Sequence, residues 1–218
     1  MPNTSKSGKF IVARHQESEW NKLGLWTGSR DVHLTEYGFR ISEDMGVLIE
    51  GIHIDKAFAS TQIRSYETLL GLEEKAHDLD VPVEFASEIN ERDYGDYTGK
   101  NKWDMQKLFG DEQFQCVRRD WDCPVPNGET LKMVYARAVP FYKEHILPLL
   151  LEGKNILMVS HGNTIRALIK YIENISDEEI RNVEMIFECI LLYEVDDEGK
   201  MISKEVRSMP KAQINENI

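Results

Sequence analysis

A chain of 218 residues with 41% hydrophobic and 29% charged residues can bury a sizeable core, and no linker or repeat divides it. Its formal net charge of −12 disfavours a general affinity for nucleic acids or anionic membranes, which both require a basic surface. The amino terminus lacks the apolar stretch of a signal peptide, and no apolar run approaches the ~18 residues of a membrane span. These features predict one domain, residues 1–218, in a soluble cytoplasmic protein without nucleic-acid or membrane partners.

The cysteines are Cys116, Cys123 and Cys189, an odd number without a Cys-x-x-Cys pair. Such spacing is not typical of a disulfide framework or a zinc site. Thiols in the cytoplasm are usually kept reduced. We therefore expect three free thiols.

An apolar run at residues 10–13 is the first predicted element, and a second run follows at 57–59. Both runs are continuous rather than alternating, as in strands that are covered on both faces. Between them, apolar residues recur every three or four positions from Tyr37 to Ile52, and Thr35 precedes them as a candidate N-cap. These patterns predict two buried strands joined by a helix that packs on their sheet.

The stretch from about 88 to 127 has few apolar runs and many charged and aromatic residues, which predicts an excursion of loops and short helices over one end of the sheet. A helical stripe from Leu131 to Leu149 follows, and Pro140 inside it predicts a bend. A third continuous strand is predicted at 156–159, and a hairpin at the sheet edge within 190–203. The last ten residues are polar, and we expect them to fray.

The alternation of strands and helices along the chain predicts the fold class. Strands separated by helices form layered α/β structures with right-handed crossovers. We therefore expect a three-layer α/β/α fold whose sheet is mostly parallel and has an antiparallel edge strand.

Each of the three predicted strands ends on residues suited to phosphate chemistry. The first run leads into Arg14 and His15, the second into Ser60 and Arg64, and the third into His161. Parallel strands bring their carboxyl ends to one edge of the sheet, next to the N-termini of helices. Two histidines, two arginines and helix dipoles at one edge predict a pocket for a phosphate group.

A phosphate beside an imidazole can be attacked by the neutral ring nitrogen when nearby cations absorb the charge on the transferring oxygens. His15 is then the candidate nucleophile, and Arg14 and Arg64 are candidate clamps. His161 could donate to an equatorial oxygen of the phosphoryl group. The alcohol oxygen also needs an acid or base, for which the excursion offers Glu88, Glu91, Asp93 and Asp96.

Six segments occur along the chain in this order: RHQESEWN, WTGSRDVHLTEYG, STQIRSYETL, NERDYGDYTGKNK, RRDWD and HGNTIRALIKY. Together they resemble the cofactor-dependent phosphoglycerate mutases of the histidine phosphatase superfamily, and the likeness runs from about residue 9 to 195. The resemblance implies a phosphoglycerate mutase-like domain with a core at about 9–207 and the 88–127 excursion over the active site.

The resemblance also implies an activity, the interconversion of 3-phosphoglycerate and 2-phosphoglycerate. His15 would carry the phosphoryl group, Glu91 would donate and accept the proton, and His161 would stabilise the transition state. Bound 2,3-bisphosphoglycerate would prime His15, and no metal would be required. The partner would be a small phosphorylated substrate, and a homodimer or homotetramer is possible.

The substrate-binding residues implied by the resemblance fall into two groups. Around the transferred phosphate we expect Arg14, Ser18, Asn21, Arg64 and Asn163, and around the carboxylate and the other phosphate Thr27, Gly28, Tyr94, Lys102, Arg118 and Arg119. Further candidates from the same motifs are Gln16, Glu17, Arg92 and Gly162.

Gln16 stands where the family has the glycine of its R-H-G motif, so a side chain occupies a position at which glycine lets the backbone approach the phosphate. If that position requires a conformation that only glycine tolerates, the cost is about 1 to 2 kcal/mol. Alternatively, Gln16 donates a hydrogen bond. The stretch between Arg119 and the PNGETL segment is also shorter than in many mutases.

Three functions therefore stay open from the sequence. The first is the mutase, and the second is a phosphatase or a bisphosphoglycerate mutase or phosphatase of the same superfamily. The third is a catalytically silent protein that binds phosphorylated ligands, because of Gln16.

Overall fold

The computed structural model describes residues 8–76, 79–185 and 187–210. Within them, six strands form one sheet: β1 (Lys9–Arg14), β2 (Lys56–Ser60), β3 (Val83–Ala86), β4 (Ile156–Ser160), β5 (Cys189–Val195) and β6 (Met201–Ser208). Their order across the sheet is β3-β2-β4-β1-β5-β6. The first four strands pair in parallel, whereas β5 runs antiparallel to β1 and to β6. This arrangement confirms the predicted mostly parallel sheet with an antiparallel edge.

The described α-helices are α1 (Glu19–Lys22), α2 (Glu36–Met45), α3 (Ile63–Lys75), α4 (Lys102–Phe109), α5 (Asp111–Arg119), α6 (Leu131–Phe141), α7 (Leu147–Leu151) and α8 (Gly162–Ile172). Short 3-10 turns lie at Gly46–Leu48, Ser87–Ile89, Gly95–Tyr97 and Glu179–Asn182. None of these helices, in the part of the chain that is described, has the length and apolar character to cross a bilayer.

The continuous apolar strands are explained by helices on both faces of the sheet. Alternate residues of a strand point to opposite faces, so Phe10 packs with α6 and α8 while Ile11 packs with α2 and α3. All four residues of the run at 10–13 are at most 2% exposed. The three-layer α/β/α prediction is therefore confirmed.

The helix predicted after Thr35 begins where expected, because the Thr35 side chain accepts a hydrogen bond from the backbone N–H of Gly38 at 3.0 Å. The α-helix ends at Met45 and continues as a 3-10 turn, so it is shorter than the pattern to Ile52 indicated. Tyr37 is 46% exposed rather than part of the buried stripe. Its hydroxyl donates instead to the Glu188 carboxylate at 3.1 Å.

The helix that contains Pro140 continues past the proline. A π-helical turn at Tyr142–Ile146 follows α6 and joins it to α7. Proline has no N–H for the helical ladder, and a wider turn is one way in which a helix accommodates the lost hydrogen bond. Pro140 thus coincides with a change of helix type inside one continuous helical segment.

The excursion from 88 to 127 contains two 3-10 turns, α4 and α5, as the polar composition predicted. It encloses a small hydrophobic cluster of its own around Trp26, which is 1% exposed and stacks on Tyr94 with the ring centroids 5.6 Å apart. Phe114 and Val117 of α5 belong to the same cluster. Trp26 precedes two predicted binding residues, so this cluster fixes their loop against the excursion.

The expectation of three free thiols is wrong, because Cys116 and Cys123 form a disulfide. Helix α5 ends at Arg119 and the chain then reverses, which brings the two Cα atoms to 5.6 Å, a distance that a disulfide can bridge. A sequence separation of seven does not reveal such a reversal. Cys189 is buried in β5.

The hairpin predicted within 190–203 is confirmed as the pair β5 and β6, with β6 at the sheet edge. The predicted fraying of the last ten residues concerns mainly 211–218, which lie outside the described residues.

Reduction of the disulfide should lower the free energy of unfolding by about 2 kcal/mol, because the bond closes a short loop in the unfolded chain. Urea denaturation with and without dithiothreitol measures this change. The double variant Cys116→Ser/Cys123→Ser is the control, and dithiothreitol should not destabilise it further. Equal destabilisation of both proteins would contradict the prediction.

Candidate active site

The ends of β1 and β4 bring two histidines together beneath a cavity. The backbone N–H of His15 donates to the carbonyl of Ser160 at 2.9 Å, which holds the two strand ends in register. The ring centroids of His15 and His161 are 4.9 Å apart, and the two residues are 3% and 0% exposed. The strand-end argument from the sequence therefore placed this pair correctly.

His15 presents a bare nitrogen. Its Nδ1 lies 2.8 Å from the carbonyl oxygen of Gln16, and because a carbonyl only accepts, Nδ1 carries the proton and Nε2 has a free lone pair. Burial, followed by the positive charges of Arg64 and Arg14, holds the pKa of His15 well below its usual value. The ring is therefore neutral at physiological pH, as a nucleophile must be.

His161 is the N-cap residue of α8, and its ring lies next to that of His15. Its Nε2 is 2.6 Å from the hydroxyl of Ser60, and its Nδ1 is buried without a hydrogen-bond partner in the described structure. Burial, followed by the charge of Arg64, holds the pKa of His161 well below its usual value. When the Ser60 hydroxyl donates to Nε2, the unpartnered Nδ1 of the neutral ring carries a proton to donate.

Backbone carbonyls hold the two predicted phosphate clamps. Arg64 donates to the carbonyls of Arg30 at 2.9 Å and Gly28 at 3.0 Å, and Arg14 donates to the carbonyl of Met185 at 2.7 Å. Burial lowers the pKa of Arg64 to about 10, so its guanidinium stays charged near neutral pH. The Nε atoms of Arg14 and Arg64 are buried without a partner in the described residues. Orphaned donors of this kind call for an acceptor such as an oxyanion.

Of the four acids that the excursion offers, only Glu91 lines the cavity among the described residues. Its carboxylate accepts a hydrogen bond from the backbone N–H of Arg92 at 2.8 Å. It also accepts one from the backbone N–H of Asn163, at the start of α8, at 3.2 Å. The side chain of Gln62 accepts from the N–H of Glu91 at 2.8 Å and fixes its backbone. The Glu91 carboxylate therefore lies next to the start of α8, in the same cavity that His15 lines.

The cavity has a volume of about 110 Å³ and is open to solvent. Most of the predicted site residues line it: Arg14, His15, Asn21, Thr27, Gly28, Arg64, Glu91, Tyr94, Lys102, Arg118, Arg119, Gly162 and Asn163. Five predicted residues do not, namely Gln16, Glu17, Ser18, Arg92 and His161.

The non-lining residues support the walls of the cavity. The Glu17 carboxylate accepts from the Thr35 hydroxyl at 2.9 Å, and Ser18 caps α1. Arg92 is fully buried and donates to the carbonyl of Val117 in α5 at 2.6 Å. The structure therefore places these three side chains in contacts with protein rather than with the cavity.

Gln16 does not occupy a glycine conformation, since it is absent from the residues with positive φ. Gln16 therefore carries no conformational penalty for standing where the family has a glycine. Its side chain is 1% exposed and bonds to the backbone of Arg14 and of Glu188. The substitution of the family glycine leaves the cavity itself unobstructed.

The cavity also contains four lining residues that the sequence reasoning missed, Trp26, Arg166, Glu184 and Met185. Arg166 donates to the carbonyls of Arg118 at 3.3 Å and Arg119 at 2.6 Å, and so holds the end of α5 over the cavity. Its presence within the HGNTIRALIKY segment was a usable signal. Glu184, which pairs with Arg119 at 2.5 Å, had no motif around it.

The cavity is a basic site on an acidic protein. Among its lining residues in the described structure are six cations, Arg14, Arg64, Lys102, Arg118, Arg119 and Arg166, against the carboxylates Glu91 and Glu184. Burial lowers the pKa of both Lys102 and Arg118, since neither charge is fully hydrated. An anion with two negative groups would satisfy these charges from within the cavity.

Comparison with known proteins assigns the family. Residues 10–206 match the model of the histidine phosphatase superfamily (branch 1), and the chain belongs to this superfamily. The 2,3-bisphosphoglycerate-dependent phosphoglycerate mutase of Streptococcus agalactiae is 40% identical over 223 residues, covering 90% of this chain and 97% of that protein. The protein of the same name from Parvibaculum lavamentivorans is 36% identical over 208 residues, covering 94% and 97%. The resemblance seen in the motifs is thus confirmed.

Solved structures with the same fold include proteins named as phosphatases. A putative alpha-ribazole-5'-P phosphatase from Escherichia coli has a TM-score of 0.75 at 22% identity, covering 93% of this chain and 96% of that chain. A mycobacterial glucosyl-3-phosphoglycerate phosphatase has a TM-score of 0.77 at 18% identity, covering 93% and 98%. These similarities establish the fold.

The buried neutral histidines predict a loss of stability in acid. Their folded-state pKa values are lowered, so as pH falls below the unfolded-state value of about 6.5 the unfolded chain binds protons that the folded chain does not. Each histidine then contributes a slope of up to about 1.4 kcal/mol per pH unit. The variant His161→Asn should show a shallower decline between pH 7 and 5 in urea denaturation. Identical slopes for variant and wild type would contradict the prediction.

Proposed function

We propose that the protein interconverts 3-phosphoglycerate and 2-phosphoglycerate through a phosphohistidine at His15. The observation that carries this proposal is the bare Nε2 of a neutral His15 next to two arginines with orphaned Nε donors. Curated relatives at 36–40% identity named as phosphoglycerate mutases support it. The reaction belongs to glycolysis and gluconeogenesis, so we place the protein in the cytoplasm.

In the proposed reaction the phosphorylated His15 transfers its phosphoryl group to the free hydroxyl of the substrate, whose proton passes to Glu91. The bare Nε2 of His15 then attacks the phosphorus at the other position. As that P–O bond breaks, Glu91 returns the proton to the alcohol oxygen. Arg14, Arg64 and the Nδ1–H of His161 would stabilise the charge on the transferring oxygens.

The rest of the substrate would bind at the opposite wall. Lys102, Arg118 and Arg119 supply positive charge for the carboxylate, and Arg166 fixes the last two of these through their carbonyls. The Tyr94 hydroxyl accepts from the side chain of Asn163 at 3.1 Å, which ties this wall to α8.

The charges that line the cavity support 2,3-bisphosphoglycerate as the primer of the reaction. Orphaned arginine donors at one end and the cluster of Lys102, Arg118 and Arg119 at the other match the two phosphates and the carboxylate of 2,3-bisphosphoglycerate. When bound, this molecule supplies the phosphoryl group that primes His15.

Formation of 2-phosphoglycerate from 3-phosphoglycerate, measured beside release of free phosphate and with or without 2,3-bisphosphoglycerate, tests the proposal. We expect 2-phosphoglycerate to be the main product and its formation to depend on the primer. Dominant phosphate release would indicate a phosphatase. Failure to form an acid-labile phosphoprotein would indicate a catalytically silent binder.

The role of Glu91 has its own prediction. Glu91→Gln should lower kcat by about 10²-fold or more, because the amide cannot exchange a proton with the alcohol oxygen. Glu88→Gln is the matched control, since Glu88 is exposed on the same excursion and should retain wild-type activity. Equal activities of the two variants would exclude Glu91 as the acid and base.

A further inference from the structure

Gln16 connects two segments of the chain from behind the cavity. Its side-chain Nε2 donates to the carbonyl of Arg14 at 2.7 Å, and its Oε1 accepts from the backbone N–H of Glu188 at 3.1 Å. Its own backbone N–H donates to the hydroxyl of Thr68 at 3.1 Å. The amide therefore joins the end of β1 to the residue before β5, and a glycine at position 16 makes neither side-chain bond.

Glu188 adopts a backbone conformation that requires such support. Its φ of 61° lies in the left-handed region, which is unfavourable for residues other than glycine. Besides the bond from its N–H to Gln16, its carbonyl accepts from Met209 at 2.9 Å and its carboxylate from the Tyr37 hydroxyl at 3.1 Å. Among the described residues, Gln16 is thus one of three hydrogen-bond partners that hold Glu188 in place.

The residues next to this turn contact the guanidinium of Arg14. The Phe187 ring lies under it, with the Arg14 Cζ 3.8 Å from the ring centroid, and the carbonyl of Met185 accepts from its Nη1 at 2.7 Å. The Phe187 ring centroid is also 6.1 Å from that of His15. The position of the Arg14 guanidinium, which stacks on Phe187, therefore depends on the position of the Glu188 turn.

We propose that Gln16 is a positioning residue, which fixes Phe187 through the Glu188 turn and thereby orients Arg14 toward the phosphoryl group on His15. The expected effect on catalysis rests on the proposed phosphoryl transfer. The claim that Gln16 orients Arg14 does not depend on that function. Gln16 touches neither substrate nor the reacting atoms, and acts through Arg14. In this chain the glutamine is part of the site's support, where the family has a glycine.

Orthovanadate, an oxyanion that mimics the transferring phosphoryl group, reports on the orientation of Arg14 directly. Gln16→Leu keeps the bulk of the side chain and removes both amide bonds, so its affinity for vanadate should fall by about tenfold. Titration calorimetry measures this affinity. Gln115→Leu, on the exposed face of α5, is the matched control and should bind vanadate like the wild type.

The kinetic signature of a positioning role is a fall in kcat with little change in KM for phosphoglycerate. The residues at the opposite wall, which would hold the carboxylate, do not contact Gln16, so substrate affinity should change less than about twofold. Merely structural damage would instead lower the midpoint of thermal unfolding and the active fraction. Gln16→Gly provides a second variant should Gln16→Leu fold poorly, and its vanadate affinity should fall in the same direction.

A double-mutant cycle with Phe187→Leu tests the route from Gln16 to Arg14. If Gln16 acts through Phe187, Gln16→Leu should weaken vanadate binding much less in the Phe187→Leu background than in the wild type. Additive effects, or unchanged vanadate affinity in a folded Gln16 variant, would overturn the inference. A gain in kcat for Gln16→Gly would also overturn it. A wild type that binds vanadate but forms no 2-phosphoglycerate overturns only the mutase proposal.

Discussion

The site depends on holding positive charge without neutralising it. Arg64 and Arg166 donate to backbone carbonyls, and Arg14 does so through its Nη1, so neutral dipoles fix these guanidinium groups where carboxylates would have cancelled their charge. Arg119, paired with Glu184, is the lining arginine with a carboxylate partner in the described structure. The result is a small cationic cavity in a chain whose formal net charge is −12.

The positive charges of these arginines also determine the protonation of His15 and His161. Burial and the adjacent arginines disfavour a further positive charge, so His15 and His161 both have lowered pKa values. Nδ1 of His15 is committed to the Gln16 carbonyl, which leaves a nucleophilic nitrogen toward the cavity. The arginine charges and the burial that would favour acceptance of a phosphoryl group by His15 therefore also exclude a proton from its ring.

The excursion at 88–127 forms the second wall of the cavity, and several contacts of its own hold it in place. The cluster around Trp26 packs α5 against the loop of Thr27 and Gly28, and Arg166 holds the carbonyls at the end of α5. The Cys116–Cys123 disulfide closes the turn that follows this helix. Residues that would read the far end of a substrate thus lie on short elements fixed at several points to the sheet.

The sequence by itself determined the buried strands and the edge hairpin through local hydrophobic patterns. It determined the meeting of His15 with His161 through the general rule that parallel strands end at one edge of the sheet. The choice of Glu91 among the acids of the excursion came from the motif resemblance. Only the tertiary structure decided the Cys116–Cys123 disulfide, the ion pair of Glu184 and the bonds of the buried Gln16 amide to Arg14 and Glu188. Each of these depends on a chain reversal or on contact between segments far apart in sequence, and no local pattern of residues encodes that proximity.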